Sequence, residues 1–104
     1  MTTLETTAAT RFHPRVEVGF MVKLSRKGRA LIAKAANLSM AGVRLSGDVA
    51  SLGERLTVTV PLPGDREIVT NATVRWRSQG ETAIEFDQLD WEDMFALARF
   101  LHPR

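Results

Sequence analysis

The chain has 104 residues, 44% of them hydrophobic, enough for one domain with a single modest core and too few for two ordinary domains. Its 14 Lys and Arg against 12 Asp and Glu leave a net charge of only +2, which argues against broad electrostatic capture of nucleic acid or of an anionic membrane. There is no cysteine, so disulfides, thiolate catalysis and cysteine-ligated zinc are excluded, in keeping with a reducing compartment.

Residues 1–10 (MTTLETTAAT) are Thr-rich, uncharged apart from Glu5, and without amphipathic periodicity. They read as a flexible tail ahead of one domain spanning 11–104, and as neither a secretory signal nor a membrane anchor. A cytoplasmic location is the expectation. Arg11-Phe12-His13-Pro14-Arg15 then sets two arginines four residues apart, with Pro14 stiffening the stretch and biasing His13 toward extended backbone.

From Arg15 the pattern turns to strands. Val16, Val18, Phe20 and Val22 alternate with Glu17, Gly19, Met21 and Lys23, a period of two. Arg26-Lys27-Gly28-Arg29 predicts a hairpin turn, and the apolar run 30–36 pairs back. Asn37 to Gly42 is a polar turn, after which Val43 and Leu45 resume the alternation with Arg44 on the other face. Leu56, Val58, Val60 and Leu62 form the next strand, with Pro61 expected to end its ladder because it donates no hydrogen bond. Ile68, Ala72, Val74 and Trp76 mark another strand, with a bulge expected near Thr70-Asn71, and 83–86 the last. Asp90 is a helix N-cap, Asp93 its capping-box partner, and Leu89 a staple to Met94. Met94, Leu97, Ala98 and Leu101 form the helix's apolar stripe, which His102-Pro103 stops. Short strands at this spacing predict a sandwich or barrel, with the helix packed on it or plugging one end.

Two clusters carry chemistry. Paired arginines are commonly a solvated basic cluster, but Arg11 and Arg15 flank a strand start, and an arginine can clamp a phosphate or place two donors on guanine O6 and N7. Asn37, Ser39 and Gly42 make an ordinary turn. The same amide and hydroxyl can also meet a phosphate or a base edge, and the glycine lets backbone approach closely or take a positive φ. Trp76 reads as core packing or a barrel-end lid, and alternatively as a ring bordering a ligand. Arg44 and Arg75 read as surface residues able to approach a phosphate. No nucleophile–base pair, metal cluster or phosphate-cradling glycine loop is recognisable, so an enzyme is not expected. Nor does the chain show the aromatic-studded basic face of a small-barrel nucleic-acid binder.

RxxxR at Arg11 and Arg15, followed by NxSxxG at Asn37, Ser39 and Gly42, then a β-rich body and a terminal helix, resembles a PilZ domain. The resemblance runs from Arg11 to about His102. It implies a six-stranded antiparallel β-barrel with a C-terminal helix, and a bacterial receptor for the second messenger cyclic di-GMP. By the same resemblance Arg11, Arg15, Asn37, Ser39 and Gly42 contact the nucleotide. Family members often carry a bulky residue near the ligand where Trp76 stands, which is the alternative to its core reading. His13, within the arginine segment, is placed to touch the ligand. The signal passes to a downstream protein through ordering of the N-terminal segment. No further cofactor, metal, nucleic acid or membrane partner is expected. Thr10 stands where many members carry another arginine, which favours a single bound ligand over an intercalated pair. Ala83 replaces a frequent glycine, a change expected to be tolerated. The alternative is a PilZ-like module that binds proteins and no nucleotide.

Overall fold

The computed structural model describes residues 15–102. Arg11 and His13, with Thr10, lie outside the described residues. Seven strands and one helix come in order: β1 (Val16–Glu17), β2 (Met21–Arg26), β3 (Arg29–Leu38), β4 (Gly42–Ser46), β5 (Arg55–Leu62), β6 (Arg66–Ser78), β7 (Glu81–Phe86) and α1 (Trp91–Leu101). Every pairing is antiparallel. β3, β2, β5, β6, β7 and β4 neighbour one another in that order, and β4 returns to β3, so the six strands close into a barrel. Closure leaves no long unpaired edge.

The expected first strand is broken in two. Glu17 faces Asn37 while Met21 faces Lys34, so four steps along one strand match three along β3. Backbone bonds from Val18 N to Ala36 O (3.0 Å) and from Ala35 N to Phe20 O (2.9 Å) carry the ladder across this bulge. β1 is thus a short leader to β2. The alternation read from sequence survives as burial, with Val22 and Leu24 in the core and Glu17, Met21 and Lys23 outside.

The β2–β3 turn falls where expected, with Lys27 and Gly28 both at positive φ (48° and 77°), as two-residue hairpin turns require. Two other expectations are corrected. Thr70 and Asn71 pair regularly with Val58 and Thr57, and the bulge in β6 lies instead at Arg75. The β5–β6 ladder also continues through Pro61 opposite Glu67 to Leu62 opposite Arg66. Proline is accommodated there because β5 pairs with β2 only over Thr57 to Thr59, so Pro61 has a strand on one side alone.

Inward side chains of all six barrel strands, among them Leu24, Leu38, Leu45, Val58, Ile68 and Val74, fill the core. α1 packs near one end of the barrel, burying Leu97 and Leu101. Each such burial is worth about 1.5–3 kcal/mol. Phe100 meets Phe20 at 6.3 Å between ring centroids. The inward stripe therefore uses Phe100, while Met94 is 37% exposed and does not join the core. Asp90 caps as expected, its Oδ1 accepting from Asp93 N at 2.9 Å. The Asp93 carboxylate turns away from a capping box to accept from Arg66 at 3.1 Å, fastening the helix start to β6. Replacing Asp90 with alanine is expected to lower stability by about 1 kcal/mol, read as a lower urea midpoint with an unchanged slope.

Asp87 joins β5 and β6 ahead of the helix: its carboxylate accepts from Arg55 Nε (2.6 Å) and Thr73 Oγ1 (2.9 Å). The Arg55 bond first, then the Thr73 bond, lower its pKa below the usual aspartate value. A carboxylate with a depressed folded-state pKa stabilises above its unfolded value and loses that contribution as acid protonates it. Acid titration below pH about 4 should therefore destabilise the wild type more steeply than Asp87→Asn, as followed by thermal melting at each pH.

Candidate functional site

Three of the expected binding residues, Asn37, Ser39 and Gly42, stand at the junction of β3 and β4, just beyond a bulge. Ala35 faces Leu45 and Asn37 faces Arg44, so Ala36 is an extra residue in β3. Asn37 is still within the strand, and the turn proper is the Ser39–Gly42 segment, closed by Ser39 N donating to Gly42 O at 2.9 Å. The Ser39 side chain is buried, its Oγ accepting from Ala41 N at 3.1 Å. That bond uses an oxygen lone pair and leaves the hydroxyl proton free to donate.

Gly42 has no positive φ, and its requirement is one of space. A Cβ at this position would overlap the Ile84 carbonyl oxygen and come within 2.9 Å of Glu85 Cα, because β7 passes directly against the start of β4. Neither neighbour is a flexible side chain that can move aside.

The pocket lies on the outer surface of the barrel over β4, β7 and β6, with a volume of about 290 Å³. Arg15, Ser39, Gly42, Arg44, Arg75 and Trp76 line it, together with Ala83 and Glu85. Arg15 donates from NH1 to Asn37 Oδ1 at 3.0 Å, so Asn37 acts from behind by holding the arginine. Partial burial, and then the positive charge of Arg44, lower the pKa of the Arg15 guanidinium from its usual value. Two cations thus lie close together, with a neutral amide as the hydrogen-bond partner of Arg15 among the described residues, an arrangement that an anion relieves.

Trp76 is absent from the core and 43% exposed. The reason is the bulge: Val74 faces Ile84 and Trp76 faces Ala83, leaving Arg75 as the extra residue. Strict alternation from buried Val74 would turn Trp76 inward. The inserted residue instead brings both Arg75 and Trp76 to the outside, an established use of bulges beside functional sites. Arg44 and Trp76 both lie opposite Ala83, one from each side of β7, and the Arg44 guanidinium stacks 5.1 Å from the indole centroid across that small residue. Such a cation–π contact is worth about 0.5–1 kcal/mol at exposed sites and more when desolvated. Among the described residues Arg44 Nε is buried without a hydrogen-bond partner, and Arg44 NH1 lies 3.8 Å from Glu81.

Arg44 and Arg75 read from sequence as surface residues able to approach a phosphate, and both line the pocket, whereas Glu85 carries no reading in the sequence. For Arg44 a signal existed, since it shares the outer face of β4 with Gly42. Arg75 and Glu85 depend on a bulge and on cross-strand register. Four other hollows are larger, and none of them is lined by the Ser39–Gly42 turn. A groove of about 580 Å³ beside α1 is chiefly apolar, lined by Leu62, Pro63 and Phe100. One of about 920 Å³ near the β2–β3 turn is also cationic, lined by Arg26, Lys27, Arg29 and Arg55, but Arg26 and Arg55 are tied to Glu54 and Asp87 and no aromatic ring lines it. Among the described residues no cluster of three His, Asp or Glu suits a metal, and no helix is long and apolar enough to cross a membrane.

The PilZ domain family profile matches residues 9–102, and the chain belongs to that family. The barrel superposes on the Bacillus subtilis inhibitor of motility MotI/DgrA with a TM-score of 0.72 at 23% identity, covering 90% of this chain and 52% of that one. It matches the PilZ domain of CeSA from a cellulose-synthesizing bacterium with a TM-score of 0.66 at 16% identity, covering 83% of this chain and 92% of that one. The Borreliella burgdorferi PlzA protein, solved in complex with c-di-GMP, gives a TM-score of 0.67 at 14% identity, covering 95% of this chain and 45% of that one. The chain therefore spans about half the length of the first and third of these proteins. No curated protein sequence gives a significant match.

Alanine at position 42 is expected to cost about 1–3 kcal/mol, as overpacking of a tight site does. The check is chemical denaturation of Gly42→Ala, in which the midpoint falls markedly. A variant as stable as wild type would show that β7 has room to move.

Proposed function

We propose that the chain is a bacterial receptor for cyclic di-GMP that binds the nucleotide without transforming it. One observation carries this reading. In a PilZ-family chain, three arginines, Arg15, Arg44 and Arg75, surround one pocket that holds a single carboxylate among its described lining residues and opens beside the Ser39–Gly42 turn. A nucleotide with two phosphates and two guanines needs cations for the phosphates, donors for guanine O6 and N7, and flat surfaces for the rings. The arginines answer the first two needs and the half-exposed indole of Trp76 the third. The PlzA complex supports the choice of ligand.

In this reading Arg15 clamps ligand while Asn37 fixes its orientation. Ser39 supplies its hydroxyl proton, and Gly42 leaves backbone within reach. Arg11 and His13 close over the ligand from the N-terminal segment, and its ordering presents a new surface to a downstream protein in the cytoplasm. A single ligand molecule fits the absence of an arginine at Thr10.

A charge-assisted hydrogen bond is worth about 1.5–3 kcal/mol, so Arg15→Ala should weaken cyclic di-GMP binding about ten- to a hundredfold at 1.4 kcal/mol per decade. Calorimetric titration measures this, with GTP and a short single-stranded oligonucleotide as controls. An unchanged affinity would remove Arg15 from the site. Failure of the wild-type chain to bind would favour a PilZ-like protein-interaction module.

A further inference from the structure

Resting on that reading, we propose that Glu85 is the pocket's internal competitor for its ligand, holding Arg75 in the free protein and releasing it to a phosphate on binding. The three arginines of the pocket are restrained in different ways. Arg15 is held by the neutral amide of Asn37, and Arg44 is stacked on Trp76 with Glu81 at 3.8 Å, outside the pocket lining. Among the described residues Arg75 is the arginine bound to the pocket's own carboxylate, its Nε donating to Glu85 Oε1 at 2.7 Å.

Backbone geometry explains the pair. Glu85 lies on β7 between Gly42 of β4 and Thr73 of β6, so its side chain rises from the middle of the three-strand surface under the pocket. Arg75 is the bulged residue of β6, freed from the regular alternation and within reach of the Glu85 carboxylate. Glu85 thus neutralises one arginine and sets a negative charge where the ligand's phosphates must come.

The pair is also easily exchanged. Its side chains are 62% and 51% exposed, and ion pairs this open contribute no more than about fivefold to an equilibrium constant. A phosphate can offer Arg75 two acceptor oxygens in place of one hydrogen bond. An uncharged nucleoside has no anionic group with which to compete, so Glu85 makes the pocket answer to ligand charge.

The alternative role for Glu85 is to hold Arg75 ready for the ligand, and the two roles have opposite signs. Glu85→Gln removes the charge and keeps the shape. Calorimetric titration with cyclic di-GMP at low salt is expected to show binding tighter than wild type by up to about fivefold, with the gain shrinking as salt screens the charge. In an Arg75→Gln background the same substitution should give much less gain. Both side chains lie on the outer face, and thermal melts of each variant confirm that it is folded. If wild type binds and Glu85→Gln binds equally or more weakly, the competitor role is overturned while the receptor reading stands. A gain undiminished in the Arg75→Gln background would overturn the exchange. A wild-type chain that does not bind cyclic di-GMP overturns the receptor reading and this proposal together.

Discussion

The architecture turns on β4 being paired along both edges. All five of its residues pair with β7 and the middle three, Val43 to Leu45, also pair with β3, and this double pairing converts a sheet into a closed barrel. The approach to β7 is so close at Gly42 that a side chain has no space. From that start the strand alternates, sending Val43 and Leu45 into the core and Arg44 outward over Trp76. One short strand therefore closes the fold, fills the core and furnishes the pocket. Barrel closure and the pocket wall share the same backbone, so changes to Gly42 act on both.

The pocket is assembled from departures from regular sheet geometry. Ala36 is an extra residue ahead of Asn37, and Arg75 an extra residue ahead of Trp76. Each insertion reverses the facing of the residues beyond it, because the side-chain period along a strand is two. A barrel needs its inward positions filled with apolar groups, and strict alternation would give Trp76 to the core. The bulges separate the demands of packing from those of the site, and Ala83 between Arg44 and Trp76 is small enough for their side chains to meet over it.

The same departures explain how much could be read from the chain alone. The β2–β3 turn, the helix cap at Asp90 and the strand bodies rest on local chemistry, and each was legible. The order RxxxR then NxSxxG carried the family. The bulge was placed at Thr70-Asn71 instead of Arg75 because an inserted residue in a strand leaves hardly any trace in composition. Trp76, with core and ligand readings both open, was undecided for the same reason. Gly42 was legible as necessary, but close approach and positive φ select glycine equally, and only the position of Ile84 separates them. The contact of Arg75 with Glu85 joins two strands through a register that no spacing along the chain encodes.

The break between β1 and β2 has a mechanical consequence. β1 is two residues long and pairs with β3 alone, whereas β2 is bonded to both β3 and β5. Tension applied to the chain ahead of Arg15 would unzip the two rungs at Val16 and Glu17 first. It would then meet the bulge, beyond which the doubly held β2 resists. The bulge is thus a stop, dividing a strand that can be peeled from one that is anchored. Arg15 rides on the part that can be peeled, and the core remains shut behind it.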